Sequence, residues 1–159
     1  MLIHVESSQS LVEINPEEVE RVITCLLQEE QVSYDEASVY FVSSEEITRL
    51  HGEYFDDPTP TDCISFPMDF EETESSYKML GEVFVCPEVA LDYAKTHNLG
   101  FETELTLYVV HGILHLLGYD DIEESEERIM RSKETFYLTL LQEKNLILHP
   151  TVLALSKSD

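Results

Sequence analysis

The chain has 159 residues, 43% of them hydrophobic, enough for one buried core and too few for two domains. Nine lysines and arginines against 33 aspartates and glutamates leave a formal charge of -24, which excludes generic, sequence-independent binding to a polyanion. No apolar run of about 18 residues and no basic leader precede the first charged segment, so the sequence predicts no membrane span and no signal peptide, and a cytoplasmic protein.

Leu2-Ile3-His4-Val5 reads as a short strand. Asn15-Pro16 opens a helix, asparagine as cap and proline at the first helical position, and Val19, Val22, Ile23, Leu26 and Leu27 recur along it at helical spacing. Ala37 to Val42 is rich in strand formers, and Ser43-Ser44-Glu45-Glu46 is a capping box that starts a second helix through Ile47, Leu50 and Tyr54. A proline-rich loop from Phe55 to Pro60 leads to a strand at Cys63-Ile64-Ser65-Phe66, an acidic loop from Glu71 to Ser76 and a strand from Glu82 to Val85. Pro87 opens a helix ending near Asn98-Gly100; a strongly apolar helix follows from Glu102 to Leu117, and a last one from Ile122 to Leu146.

This alternation predicts an α/β (α+β) fold: a small mixed sheet of about four strands packed with helices around the Glu102 to Leu117 helix. A single domain over 1–148 carries a frayed tail over 149–159. Cys25, Cys63 and Cys86, with no C-x-x-C pair, read as buried small hydrophobes rather than a disulfide framework or thiolate zinc cluster. Tyr77, Tyr93, Tyr108 and Tyr137 have core-like neighbours, and His4, His97 and His149 match no ligand spacing.

The chemistry concentrates in His111-Gly112-Ile113-Leu114-His115-Leu116-Leu117-Gly118-Tyr119-Asp120-Asp121. Residues four apart share a helix face, so His111 and His115 offer two imidazole nitrogens to one metal ion. Gly118 suits the left-handed backbone that stops a helix, and the returning chain brings Asp120 or Asp121 towards the same ion. The spacing is similar to that of the metzincin zinc proteases, except that Gly112 stands where their glutamate base belongs, so peptide hydrolysis by that route lacks its general base. Asp121-Ile122-Glu123-Glu124 also reads as a helix start with Asp121 as N-cap, and the two readings of Asp121, ligand and cap, compete on sequence alone. Asp120 is the alternative ligand, or an acceptor for a histidine N–H. Imidazole-rich coordination by three side chains with a fourth position open suits zinc, with nickel and iron as alternatives.

The run from His111 to Asp120 resembles the signature of the YbeY family of bacterial rRNA maturation factors, metal-dependent endoribonucleases whose motif ends in a third histidine. Thr61-Asp62-Cys63-Ile64-Ser65-Phe66-Pro67 is similar to that family's Thr-Asp-Val-Leu-Ser-Phe-Pro segment, and Leu80-Gly81-Glu82-Val83 to its Leu-Gly-Asp-Ile strand. Glu104, Met130 and Glu134 also fall where the family has such residues, and the likeness runs from about Val39 to Leu138. There are two departures. Asp121 replaces the third histidine, and Phe55 follows Tyr54 where the family has an arginine, which removes a cation suited to a phosphoryl group.

The resemblance implies a zinc-dependent endoribonuclease in rRNA maturation and small-subunit ribosome quality control, with rRNA and the small ribosomal subunit as partners. It implies one divalent ion on His111, His115 and Asp121, acting as Lewis acid on a phosphoryl oxygen. Thr61, Asp62 and Ser65 would line the substrate cleft, and Asp120 and Arg49 are the candidate catalytic groups, with His51 also near the place of the missing arginine. A metal-dependent hydrolase of another substrate and a non-catalytic ribosome-assembly factor are the alternatives.

Overall fold

The computed structural model of the chain describes residues 1–57, 59, 61–68 and 77–153, so the acidic loop expected from Glu71 to Ser76 lies outside the described residues. Along the chain run β1 (Leu2–Ser7), β2 (Val12–Glu13), α1 (Pro16–Glu30), β3 (Glu36–Phe41), α2 (Ser44–Phe55), β4 (Cys63–Pro67), β5 (Met79–Val85), α3 (Pro87–His97), α4 (Phe101–Leu116), α5 (Glu124–Glu143) and β6 (Thr151–Val152). The caps read from the sequence for α1 and α2 are formed. The Asn15 side chain accepts from the Glu17 N–H at 3.0 Å, and Ser43 Oγ accepts from the Glu46 N–H at 3.1 Å.

The expected mixed sheet has four strands in the order β1-β3-β5-β4. β1, β3 and β5 are parallel, and β4 closes one edge antiparallel to β5. Parallel neighbours require a crossover between them, and the intervening helices supply it. One sheet face, with Ala37, Val39, Phe41, Val83 and Val85, joins the main core formed with α1 and α4. The other face, with Ile64 and the partly buried Tyr40, Phe66 and Phe84, packs against Ile47 and Leu50 of α2.

Helix α4 is central, as its composition predicts: Leu105, Val109, Val110, Ile113 and Leu114 are completely buried. A helix apolar on nearly every side has no face to give to solvent. Its approach to the sheet depends on Gly112, where an added Cβ would lie 2.5 Å from Val83 Cγ1 and 3.0 Å from Cys63 Sγ. The position read as a lost glutamate base thus points into the sheet, and no glutamate can stand there without moving α4.

A second set of contacts ties the end of α1 to α5 and to the segment after α4. Glu30 accepts hydrogen bonds from Tyr119 at 2.7 Å and Lys133 at 2.7 Å, and from Tyr137 as well. One carboxylate thereby joins α1, the segment after α4, and α5.

Several expectations are corrected. Helix α5 begins at Glu124 rather than Ile122 because Glu123 is its N-cap, its N–H bonded to Glu126 Oε1 at 3.3 Å. It ends at Glu143 rather than near Leu146, and Asn145 then takes a left-handed φ of 58°. Within the stretch expected to fray, β6 pairs antiparallel with β2, and Leu148 before it is buried with its N–H on Thr106 Oγ1 at 3.0 Å; residues 154–159 lie outside the described residues. Tyr108 and Tyr137 are core residues, whereas Tyr77 and Tyr93 are exposed: Tyr93 stacks on His97 one turn along α3, and the Tyr77 hydroxyl donates to Glu36 at 2.7 Å. All three cysteines are free thiols, Cys25 and Cys86 buried and Cys63 partly so. No helix among the described residues is long and apolar enough to cross a membrane.

Candidate metal centre and cleft

His111 and His115 stand one turn apart on α4, ring centroids 4.5 Å apart and planes nearly perpendicular, each about a fifth exposed. Two residues past the helix, Gly118 takes a φ of 106°, a conformation that costs a side-chain-bearing residue energy, and the chain turns back towards α4. That return places Asp121 against both imidazoles: Oδ2 lies 3.8 Å from His111 Nε2, and Oδ1 lies 3.7 Å from His115 Nε2. Donor atoms from the three residues all lie within 4.8 Å of one another. A tetrahedral zinc with bonds near 2.1 Å keeps its donors about 3.4 Å apart, so the two histidine–Asp121 separations exceed that spacing by a few tenths of an ångström. The donor set is compatible with a divalent metal.

The surrounding groups prepare the donors. Glu134 Oε2, from α5, lies 2.5 Å from His111 Nδ1. A carboxylate only accepts, so Nδ1 carries the hydrogen and Nε2 keeps the lone pair a metal needs. Arg131 holds both oxygens of Glu134, at 2.5 and 2.6 Å, and its second nitrogen lies 3.8 Å from Asp121 Oδ2. Burial pushes the Glu134 carboxyl up, but the hydrogen bonds from His111 and Arg131 outweigh it and hold the group below its ordinary value. Burial, with the neighbouring His111, holds His115 below the ordinary imidazole value against the pull of Asp121 and Asp120. That shift favours the neutral ring, the form a metal ligand needs.

The competition over Asp121 is decided against the cap, since Glu123 caps α5. Asp120 Oδ1 accepts from the Asp121 N–H at 3.1 Å and stands 3.9 Å from His115 Nδ1, beyond direct hydrogen-bond range. It belongs to the turn and stays outside the convergent triad.

The histidines open onto a cleft of about 490 Å³ lined by the end of α2 (His51, Phe55), by β4 (Cys63 to Ser65, Pro67) and by Gly118, Tyr119 and Asp120. Of the expected substrate residues, Ser65 is in this wall, its hydroxyl donating to the Gly112 carbonyl at 3.2 Å. Thr61 and Asp62 are not among the lining residues: Thr61 Oγ1 lies 3.4 Å from Asp62 Oδ1, and Asp62 acts electrostatically on Glu104 and Tyr108. Arg49 is also elsewhere, its guanidinium held by Glu46 and Glu53 at 2.8 Å each along α2. His51 does reach the cleft. Its Nδ1 lies 2.9 Å from the Thr59 carbonyl, which only accepts, so Nε2 is the unprotonated nitrogen of the neutral ring. Burial drives the Cys63 thiol far above its ordinary value, so it remains a neutral S–H in the cleft wall.

Sequence reasoning singled out Glu134 only by resemblance, since no local pattern links it to the histidines, and gave Tyr119, although it lies within the motif, no role. Phe55 was noted for what it replaces, and its place in the cleft wall follows from ending α2.

Comparison with known proteins adds an independent finding. A family model described as Endoribonuclease YbeY matches residues 4–142. The chain is 44% identical over 146 residues to "Endoribonuclease YbeY" of Protochlamydia amoebophila, covering 92% of this chain and 97% of that one. It is 38% identical over 151 residues to the protein of the same name from Chlamydia muridarum, covering 94% of each. Among solved structures, the solution structure of TM1509 from Thermotoga maritima superposes with a TM-score of 0.62 at 28% identity, covering 90% of this chain and 91% of that one.

Proposed function

The chain belongs to the Endoribonuclease YbeY family, and from that premise we propose that it is a metal-dependent endoribonuclease acting on single-stranded RNA in the cleft between α2, β4 and the end of α4. The observation that carries this reading is the convergence of His111 Nε2, His115 Nε2 and the Asp121 carboxylate beside that cleft. Zinc is the ion that two imidazoles and one carboxylate suit best. When bound it would supply Lewis-acid chemistry for a phosphoryl oxygen and for activating water.

The protein's own groups do the rest. Glu134 keeps the proton of His111 on Nδ1, and Arg131 keeps Glu134 charged. Asp121 contributes an anionic donor, so the site is less positive than one of three imidazoles, and Asp121→His would move the rising limb of the pH-rate profile to lower pH. His51 offers Nε2 as an acceptor. The substrate class follows the resemblance to rRNA maturation factors, with rRNA and the small ribosomal subunit as partners in the cytoplasm, where free cysteines such as these persist.

Elemental analysis of the purified protein tests the centre, with cleavage of structured RNA and of casein assayed in parallel. We expect about one divalent ion per chain, its loss in His115→Ala, and cutting of RNA but not casein. Equal metal in both proteins would remove the site. One observation favours a second reading, a non-catalytic assembly factor: Phe55 stands where a phosphate-binding arginine is expected. Stable association with the small subunit by metal-loaded protein that cuts no RNA would mark that case.

A further inference from the structure

Among the described residues, no lysine or arginine lines the cleft. Arg131 is committed to Glu134 and Arg49 to Glu46 and Glu53. A nucleic acid strand entering beside Asp120 and Asp121, in a chain of charge -24, therefore meets no lysine or arginine among the described residues that line the cleft.

The wall offers aromatic surface instead. Phe55, the last residue of α2, lines the cleft and is 51% exposed. Its ring is stacked at 6.2 Å on Phe66 with planes 27° apart, and His51 lies 5.7 Å away. Phe66 in turn meets Tyr54 edge-on at 5.2 Å and Phe84 at 5.8 Å, and Phe84 stacks on Tyr40 at 4.8 Å. A continuous chain of rings thus runs from the sheet to the cleft, and the ring at its end is fixed from behind yet half open to solvent. An exposed phenylalanine braced in this way beside polar donors has the character of a ligand surface.

We propose that Phe55, braced by Phe66, is a base-stacking platform that holds an unpaired nucleobase next to the metal donors, so that the strand is gripped by its bases rather than its phosphates. The proposal rests on the reading of the cleft as an RNA site. Stacking needs no positive charge and tolerates any base, because every base has a π-face. It also gives Phe55 a positive function where an arginine is expected: the cation is exchanged for a ring.

The test uses metal-loaded protein and two probes of equal length and charge, a single-stranded oligoadenylate hexamer and its abasic counterpart. Phe55→Ala and Phe55→Leu should each weaken hexamer binding about tenfold, while Phe55→Tyr keeps it within about threefold. The abasic strand should bind weakly and equally to all. In cleavage assays the Phe55→Ala defect should fall on KM rather than kcat, with metal content unchanged. The chain has no tryptophan, so Phe55→Trp introduces a single indole, whose emission the hexamer should quench and the abasic strand should not. That readout does not depend on the alanine variant folding. If the unaltered protein binds the two strands equally, or if Leu serves as well as Phe, the platform is overturned while the RNA reading stands. If the unaltered protein neither binds nor cuts RNA, both fall.

Discussion

Asp121 turns one carboxylate oxygen towards each histidine and stands two residues before the cap of α5. Asparagine preserves its size and removes its charge. Asp121→Asn is therefore expected to shift the unfolding of metal-free protein by less than about 0.5 kcal/mol, and to weaken zinc binding by more than about tenfold. A thermal melt and a titration against a chromophoric chelator check the two halves; undiminished affinity would take Asp121 out of the donor set. Glu134→Gln should weaken metal binding by about 10- to 100-fold, because the amide can present its N–H₂ to His111 Nδ1 and reverse the tautomer. At this scale the sequence was partly legible. The i, i+4 histidines and Gly118 announce themselves by spacing. Asp121 was ambiguous because Asp121 with Glu124, and Glu123 with Glu126, present the same cap spacing, and only the folded chain selects the second. Glu134 meets His111 across 23 positions, a separation no local pattern encodes.

At the scale of elements, the closeness of α4 to the sheet makes Gly112 the sensitive point. Gly112→Ala gains about 1 kcal/mol of helix propensity, but its Cβ would press on Val83, a stiff β-branched side chain, at a cost of about 1–3 kcal/mol. We expect a net loss in urea unfolding, and Gly112→Glu should fail to fold rather than become a protease. The Glu30 junction predicts a pH dependence. Burial raises its carboxyl, but hydrogen bonds from Lys133, Tyr137 and Tyr119 outweigh this and hold it below the ordinary 4.5. As pH falls the unfolded chain therefore takes up the proton first. The stabilisation is present in full above 4.5 and is lost as pH drops through the folded value. Glu30→Gln should lower stability at neutral pH and flatten the acid limb of a stability-pH series. Helices α1 and α2 were legible from their caps, and β3 to β5 from strand-forming runs. β2 and β6 were not, since two residues have no period and their pairing is set by the distant partner strand.

For the molecule as a whole, the acidic surface reverses the usual salt dependence of nucleic acid binding. Cationic binders lose affinity steeply from about 50 to about 200 mM salt as counterions are no longer released at a gain. Here salt screens repulsion between the strand and a chain of charge -24, so affinity for a short RNA should hold or rise over that range. A steep loss, measured by anisotropy, would reveal a cationic surface at work. The fold class was legible because the order of helices and strands survives errors at their ends; the exposed Tyr77 and Tyr93 misled because apolar neighbours in sequence need not be neighbours in space. The pairing of β2 with β6 has one more consequence, in the language of hydrogen exchange. Two short strands join segments near opposite ends of the chain, with Leu153 N–H on the Leu11 carbonyl at 2.7 Å, while Leu148 is anchored to α4 through Thr106. Few contacts hold the ribbon and much chain entropy opposes it, so among the described residues it should be a weakly protected cooperative unit. Its amides should exchange by opening that leaves the α4 amides protected, and a chain ending at Leu148 should still take up its metal.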